Sequence, residues 1–136
     1  MTIGLDELGT QKYVRLTTYK RDGTPVATPV WVVPDGGDLL VITDQDTGKV
    51  KRLRHTSAVL LTPCDMRGQV EPGAPEVTAV AAVFDDPAQI TRLRQQVVAK
   101  YGLFARVFYA AGSLVSAVRR RPRTPAGLRI SAAPAA

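Results

Sequence analysis

The sequence predicts a small, mainly antiparallel β-barrel with helices packed outside, on three observations. Strand-like runs rich in β-branched and aromatic residues recur along most of the chain. Glycine-bearing turns join them, and Arg21-Asp22-Gly23 is a hairpin signal. Helical periodicity is confined to short insertions and one late stretch ahead of a final strand. At 136 residues the chain is long enough for one domain, spanning 1–136, with a real hydrophobic core.

The elements follow in order. Leu5-Asp6-Glu7-Leu8 predicts a short helix whose two leucines cover one end of the barrel. Tyr13 to Tyr19 is the first strand. Val26 to Val33 is the second, and Pro29 within it marks a bulge or an edge position because proline donates nothing to a ladder. A Pro34-Asp35-Gly36-Gly37 turn leads to a strand at Leu39 to Thr43. Asp46-Thr47-Gly48 opens a short basic helix through Arg54. Ala58 to Thr62 is the next strand, Pro63 to Gly68 a turn, and Val70 to Pro75 a loop. Glu76 to Phe84 reads as a long strand. Asp85-Asp86-Pro87 supplies an N-cap with proline at the first helical position. Ile90, Leu93, Val97 and Tyr101 then form one apolar stripe, and Gly102 ends that helix. A second helix over Phe104 to Val118, an arginine run, a strand at Gly127 to Ser131 and a frayed tail at Ala132 to Ala136 complete about six strands.

Composition narrows the function. The net charge of +6 and the isoelectric point near 9.9 call for an anionic partner or simply aid solubility. The charge concentrates in Lys49-Val50-Lys51-Arg52-Leu53-Arg54 and Arg119-Arg120-Arg121-Pro122-Arg123. Aromatics are only 6% and do not interleave with either cluster, so the stacking platforms of single-strand binders are missing. No helix-turn-helix or zinc-finger pattern appears, so an anionic small ligand is preferred over nucleic acid. No apolar run approaches a membrane span and no signal peptide opens the chain, which makes a cytoplasmic location the expectation. The single cysteine, Cys64, excludes an intrachain disulfide and reads as a buried strand-end residue, with a reactive thiol as the alternative that nothing nearby argues for. No metal-ligand spacing is present.

The candidate site is the turn where strands feed the basic helix. Thr47, Gly48 and Lys49 stand at the helix start, where backbone N–H groups and a lysine direct positive charge at one spot and suit a phosphate. Lys51 and Arg52 add charge on neighbouring faces. A solvated basic helix is the competing reading.

The pattern Gly23-Thr24-Pro25, Thr28-Pro29-Val30-Trp31, Val41-Ile42-Thr43 and Gly48-Lys49-Val50-Lys51-Arg52-Leu53-Arg54 resembles the flavin/deazaflavin oxidoreductase superfamily. Its members have the split β-barrel fold of pyridoxamine 5′-phosphate oxidase. More narrowly, the chain is similar to the actinobacterial branch that uses the deazaflavin coenzyme F420. The resemblance implies that Lys49 contacts the cofactor phosphate and that Thr47 and Gly48 complete its cradle. Lys51 and Arg52 would reach the phosphate or an acidic tail. Thr28, Pro29, Val30 and Trp31 would pass alongside the ring, and Thr43 would abut the ribityl chain. It also implies a homodimer with cofactor sites at the interface, partly built from Trp31 and Pro29. The arginine that flavin-using oxidases place near Thr28 is absent from that stretch, which favours F420 over FMN.

The implied reaction is hydride transfer between the deazaflavin and an electron-poor organic substrate, with no dedicated acid–base pair. A non-catalytic carrier of F420, FMN or a haem-like ligand, and an FMN-dependent flavoprotein, are the alternatives. His55 reads as a surface or capping residue, and Trp31 has core packing as its rival role. The Arg119–Arg123 run reads as a solvated helix end or a contact for the acidic tail of F420.

Overall fold

The structure, a computed structural model, describes residues 4–102 and 124–133. The helix expected over Phe104 to Val118 and the Arg119–Arg123 run lie outside the described residues, as does the end of the expected tail. Seven strands form one antiparallel sheet: β1 (Val14–Tyr19), β2 (Pro25–Val30), β3 (Val33–Asp35), β4 (Asp38–Asp44), β5 (Ala58–Pro63), β6 (Val77–Phe84) and β7 (Pro125–Ala132). The helices are α1 (Leu5–Leu8), α2 (Gly48–Leu53) and α3 (Pro87–Tyr101).

The strand order is β2-β1-β5-β6-β7-β4-β3. Its two edge strands, β2 and β3, are consecutive in sequence and joined only by Trp31 and Val32. Laid flat, such a sheet would hold its edges roughly 29 Å apart at about 4.8 Å per strand. The link spans at most about 11 Å. The sheet therefore curls into a half-barrel, and the fold is the mainly β split barrel. The single run expected over Val26 to Val33 is thus two strands, because the chain leaves one edge at Val30 and re-enters at the other. That division makes the strand count seven rather than six. Pro34 and Asp35 belong to β3, so the turn falls on Gly36 and Gly37, both with positive φ. Pro29 sits on an edge strand in continuous register, Arg15 facing Pro29 and Leu16 facing Thr28, so no bulge is needed.

Period-two alternation sorts the side chains. Val14, Leu16, Val30, Leu39, Val41, Leu61, Ala79, Ala81, Ala126, Leu128 and Ile130 fill the interior. Leu5 and Leu8 of α1 and Val50 and Leu53 of α2 join that cluster, as the leucine spacing predicts. Each fully buried leucine contributes about 1.5–3 kcal/mol. On the outer face Val33 and Leu40 pack against Leu93 and Val97 of α3, with Trp31, Ile42, Phe84 and Tyr101 around them. Asp86 caps α3 through a bond that its Oδ2 accepts from the Gln89 N–H at 3.1 Å, and Gly102 closes it at φ 64°. No helix among the described residues is long and apolar enough to cross a membrane.

Two outward residues on β7 hold the layers together. Gly127 lies under the Phe84 ring so closely that a Cβ would collide with it. Arg129 donates to Asp35 at 3.0 Å and to Asp38 at 3.1 Å, tying β7 to the β3–β4 hairpin. Gln96 of α3 also donates to Asp35, at 3.3 Å. The Arg129 bond, with Gln96 and the Arg92 charge, holds the Asp35 carboxyl below the usual carboxylate range.

Gly127→Ala is expected to cost about 1–3 kcal/mol in urea unfolding, because the ring must leave its seat. Asp35 has a depressed folded-state pKa, so its contribution is present above about pH 4 and is lost as pH falls through the folded value. The advantage of wild type over Asp35→Asn, about 1 kcal/mol at pH 7, should therefore shrink between pH 4 and pH 2 in the same assay.

Candidate functional site

The short helix α2 is held by hydroxyls. Thr43 at the end of β4 donates to Thr47 Oγ1 at 3.2 Å, and Thr47 in turn donates to the Asp44 carbonyl at 2.9 Å. Thr47 Oγ1 also accepts from the Val50 N–H at 3.5 Å, the N-cap bond that starts the helix. Six residues make only a small dipole, so the positive field here comes from side chains.

Arg52 and Lys49 supply it. Arg52 Nε donates to Thr18 Oγ1, a fully buried hydroxyl on the inward face of β1. The Arg52 guanidinium lies across Gly48, where a Cβ would meet Nη1, so a larger residue there would push the guanidinium aside. Lys49 is half-buried beside it, and burial together with the Arg52 charge pulls the ammonium below its ordinary pKa. Lys49 forms no ion pair among the described residues, nor does Arg52. Two neighbouring cations without a carboxylate create a demand for an anion. Lys51 and Arg54 are exposed on the helix exterior. Arg21, at the β1–β2 hairpin tip, lies 3.0 Å from His55 Nε2, which confirms His55 as a surface residue and extends the basic patch.

The structure therefore brings Thr43, Thr47, Gly48, Lys49 and Arg52 together and leaves Lys51 outside. Thr28 faces inward opposite Leu16, and its buried Oγ1 has no hydrogen-bond partner. Val30 is interior, and Pro29 is exposed near Gly68. Trp31 is not brought to α2. It stacks on Tyr101 with centroids 4.6 Å apart and planes 13° from parallel, so core packing on α3 is the role it fills here.

Sequence reasoning missed Lys100. Its ammonium donates to three backbone carbonyls, Gly9 at 2.8 Å, Gln11 at 2.7 Å and Val32 at 2.6 Å. Burial lowers its pKa to about 8, so it is charged at neutral pH. Tyr101 accepts from the Val32 N–H at 3.2 Å and donates to the Lys12 carbonyl at 2.7 Å, and burial raises its phenol to about 12. A lysine in the last turn of a helix ordinarily suits the dipole, so nothing in the sequence marked it.

A cavity of about 710 Å³ opens at the other end of β1 and β5 from α2, lined by Gln11 and the Pro63–Pro75 segment. Cys64 lies on its wall, and burial and Asp65 push its thiol pKa up, which lowers the thiolate fraction and slows its reactions.

A family model described as pyridoxamine 5′-phosphate oxidase matches residues 5–126. No curated protein sequence matches the chain at a significant level. Among solved structures, an F420 reductase aligns with TM-score 0.61 and 18% identity over 98% of this chain and 97% of its own. HutZ, the heme storage protein from Vibrio cholerae, aligns with TM-score 0.66 and 11% identity over 98% and 93%. A pyridoxamine 5′-phosphate oxidase-related, FMN-binding protein from Nostoc punctiforme aligns with TM-score 0.57 and 15% identity over 93% and 73%. At identities this low the three alignments show a common fold and nothing more.

Lys49→Met should leave the ligand-free protein as stable as wild type or up to about 1 kcal/mol more stable, because it removes a desolvated charge that has no partner. Lys100→Met should cost about 2–4 kcal/mol, since three backbone carbonyls, two of them in part-buried bonds, lose their donor. Urea unfolding of both variants at pH 7 checks the contrast.

Proposed function

Because the chain belongs to the pyridoxamine 5′-phosphate oxidase family, we propose that it binds coenzyme F420 and transfers a hydride between that deazaflavin and an electron-poor organic substrate. One observation carries the reading: Lys49 and Arg52 stand side by side at Gly48 with no carboxylate paired to either. A cofactor phosphate supplies the missing negative charge, and Thr47, Gly48 and Lys49 would hold it with Arg52 behind them. Lys51, exposed on the same helix, is available to an acidic tail.

Thr28, with its unpartnered buried hydroxyl, is the polar group on β2 suited to a ring heteroatom. Pro29, Val30 and Trp31 continue that strand and its link, while Thr43, on β4, bonds to Thr47 at the start of α2. When bound, the deazaflavin supplies the hydride. The protein binds, orients and keeps water from one ring face. The site is completed in a cytoplasmic homodimer, with the exposed β2 edge at the interface. FMN is the second reading, since its phosphate satisfies the same two cations and an FMN-binding protein shares the fold. A carrier without catalysis would bind equally and turn over nothing.

Fluorescence titration with F420 and, separately, FMN at physiological salt tests the proposal. Tight F420 and weak FMN binding are expected, with Lys49→Ala weakening F420 about 10- to 100-fold through loss of a charge-assisted bond. FMN preference would move the protein to the flavoprotein reading. Equal affinity of Lys49→Ala and wild type would place the phosphate elsewhere. Turnover of reduced cofactor with a panel of organic acceptors separates enzyme from carrier.

A further inference from the structure

We propose that Arg15 anchors a second oxyanion site, on the outward face of β1, which takes the carboxylate or phosphate group of a small organic ligand. Alternation along β1 sends Val14, Leu16 and Thr18 inward and Arg15 and Thr17 outward. Arg15 stands opposite Pro29 of β2 and Thr62 of β5, so the three share the outward face. Thr62 is 2% exposed and Thr17 6%, which makes this a dry stretch of sheet to carry a guanidinium. The Nε of Arg15 is buried and has no hydrogen-bond partner.

No carboxylate answers it. All twelve Asp and Glu lie within the described residues, and none forms an ion pair with Arg15. Asp65, the acid next to Cys64, accepts from the Arg67 and Gln69 N–H groups at 2.8 and 2.9 Å, so its Oδ1 is turned into its own loop. A planar guanidinium whose Nε is buried without an acceptor, on a residue that is still partly exposed, is suited to a bidentate oxyanion arriving from solvent. The 710 Å³ cavity opens just past Thr62 with Cys64 on its wall, and the Arg15 charge reaches that thiol, so the body of the ligand would extend from Arg15 towards the cavity. The site is separate from the α2 cations, since Arg52 meets β1 on its opposite, inward face through Thr18. It stands whether or not a cofactor phosphate binds at Lys49.

Cys64 reports on it. Arg15 lies close enough to draw the Cys64 thiol pKa down against burial and Asp65. Neutralising Arg15 removes that pull and leaves less thiolate to react. The experiment measures labelling of the single cysteine by uncharged N-ethylmaleimide while benzoate or inorganic phosphate is titrated in at constant ionic strength. In wild type, one or both anions should slow labelling saturably by about twofold or more. Amide shifts in nuclear magnetic resonance spectra should map to Thr17 and Thr62. Saturation by benzoate alone identifies a carboxylate ligand, and by phosphate alone a phosphate ligand.

Arg15→Gln should label more slowly from the outset and show no response. Lys49→Ala should respond as wild type does. If Arg15→Gln fails to fold, Arg15→Lys should keep a response with its midpoint raised roughly tenfold, because a point charge replaces the fork. The proposal is overturned if neither anion changes wild-type labelling saturably. It is equally overturned if Arg15→Gln, or a folded Arg15→Lys in its place, responds as wild type does.

Discussion

The two-residue link at Trp31 and Val32 is the constraint on which the structure turns. It joins the two edge strands of the sheet, so the sheet must curl until those edges come within its reach. Curling creates an interior for Val32 and an exterior for Trp31, and the link crosses from one to the other. The last turn of α3 then fastens it. Tyr101 stacks on Trp31 and bonds to Val32, while Lys100 takes the Val32 carbonyl together with two from the N-terminal segment. A lysine with all three N–H donors engaged acts as a structural bolt, which is why its burial is tolerated.

The distribution of charge pairing separates structure from function. On the outer face Arg129 is matched by Asp35 and Asp38, and the pairing holds β7 to the β3–β4 hairpin. At α2 and on the outward face of β1 the cations have no such match, although they lie in partly dry surroundings. Natural folds seldom leave a desolvated charge unanswered unless something binds there. The stability lost at such positions is the usual cost of a prepared site.

Much of the site was legible because its determinants are local. Thr47 capping Gly48–Leu53, and Asp86 with Pro87 opening α3, are settled within four residues of sequence. The bond between Thr43 and Thr47 spans four residues as well. The pairing of Arg52 with Thr18 was not legible, because it depends on α2 packing across β1, which lies far away in sequence. The placement of Trp31 away from α2, and the splitting of Val26 to Val33 into two strands, were hidden for the same reason. A strand propensity does not say which edge a residue will join.

The sequence by itself determined the three described helices, most of the strands, the Asp86–Pro87 start of α3 and the glycine turns, because the period of two and the period of 3.6 are written into adjacent residues. It also determined that α2 would be basic. Only the tertiary structure decided which of those basic residues are left without an anion. Lys49 and Arg52 are brought together at Gly48 while Lys51 remains in water, and Arg15, between Pro29 and Thr62 on the sheet, is left with a buried Nε that has no acceptor. Charge is a property of a residue, but desolvation is a property of everything packed around it, and it takes the whole barrel to set it.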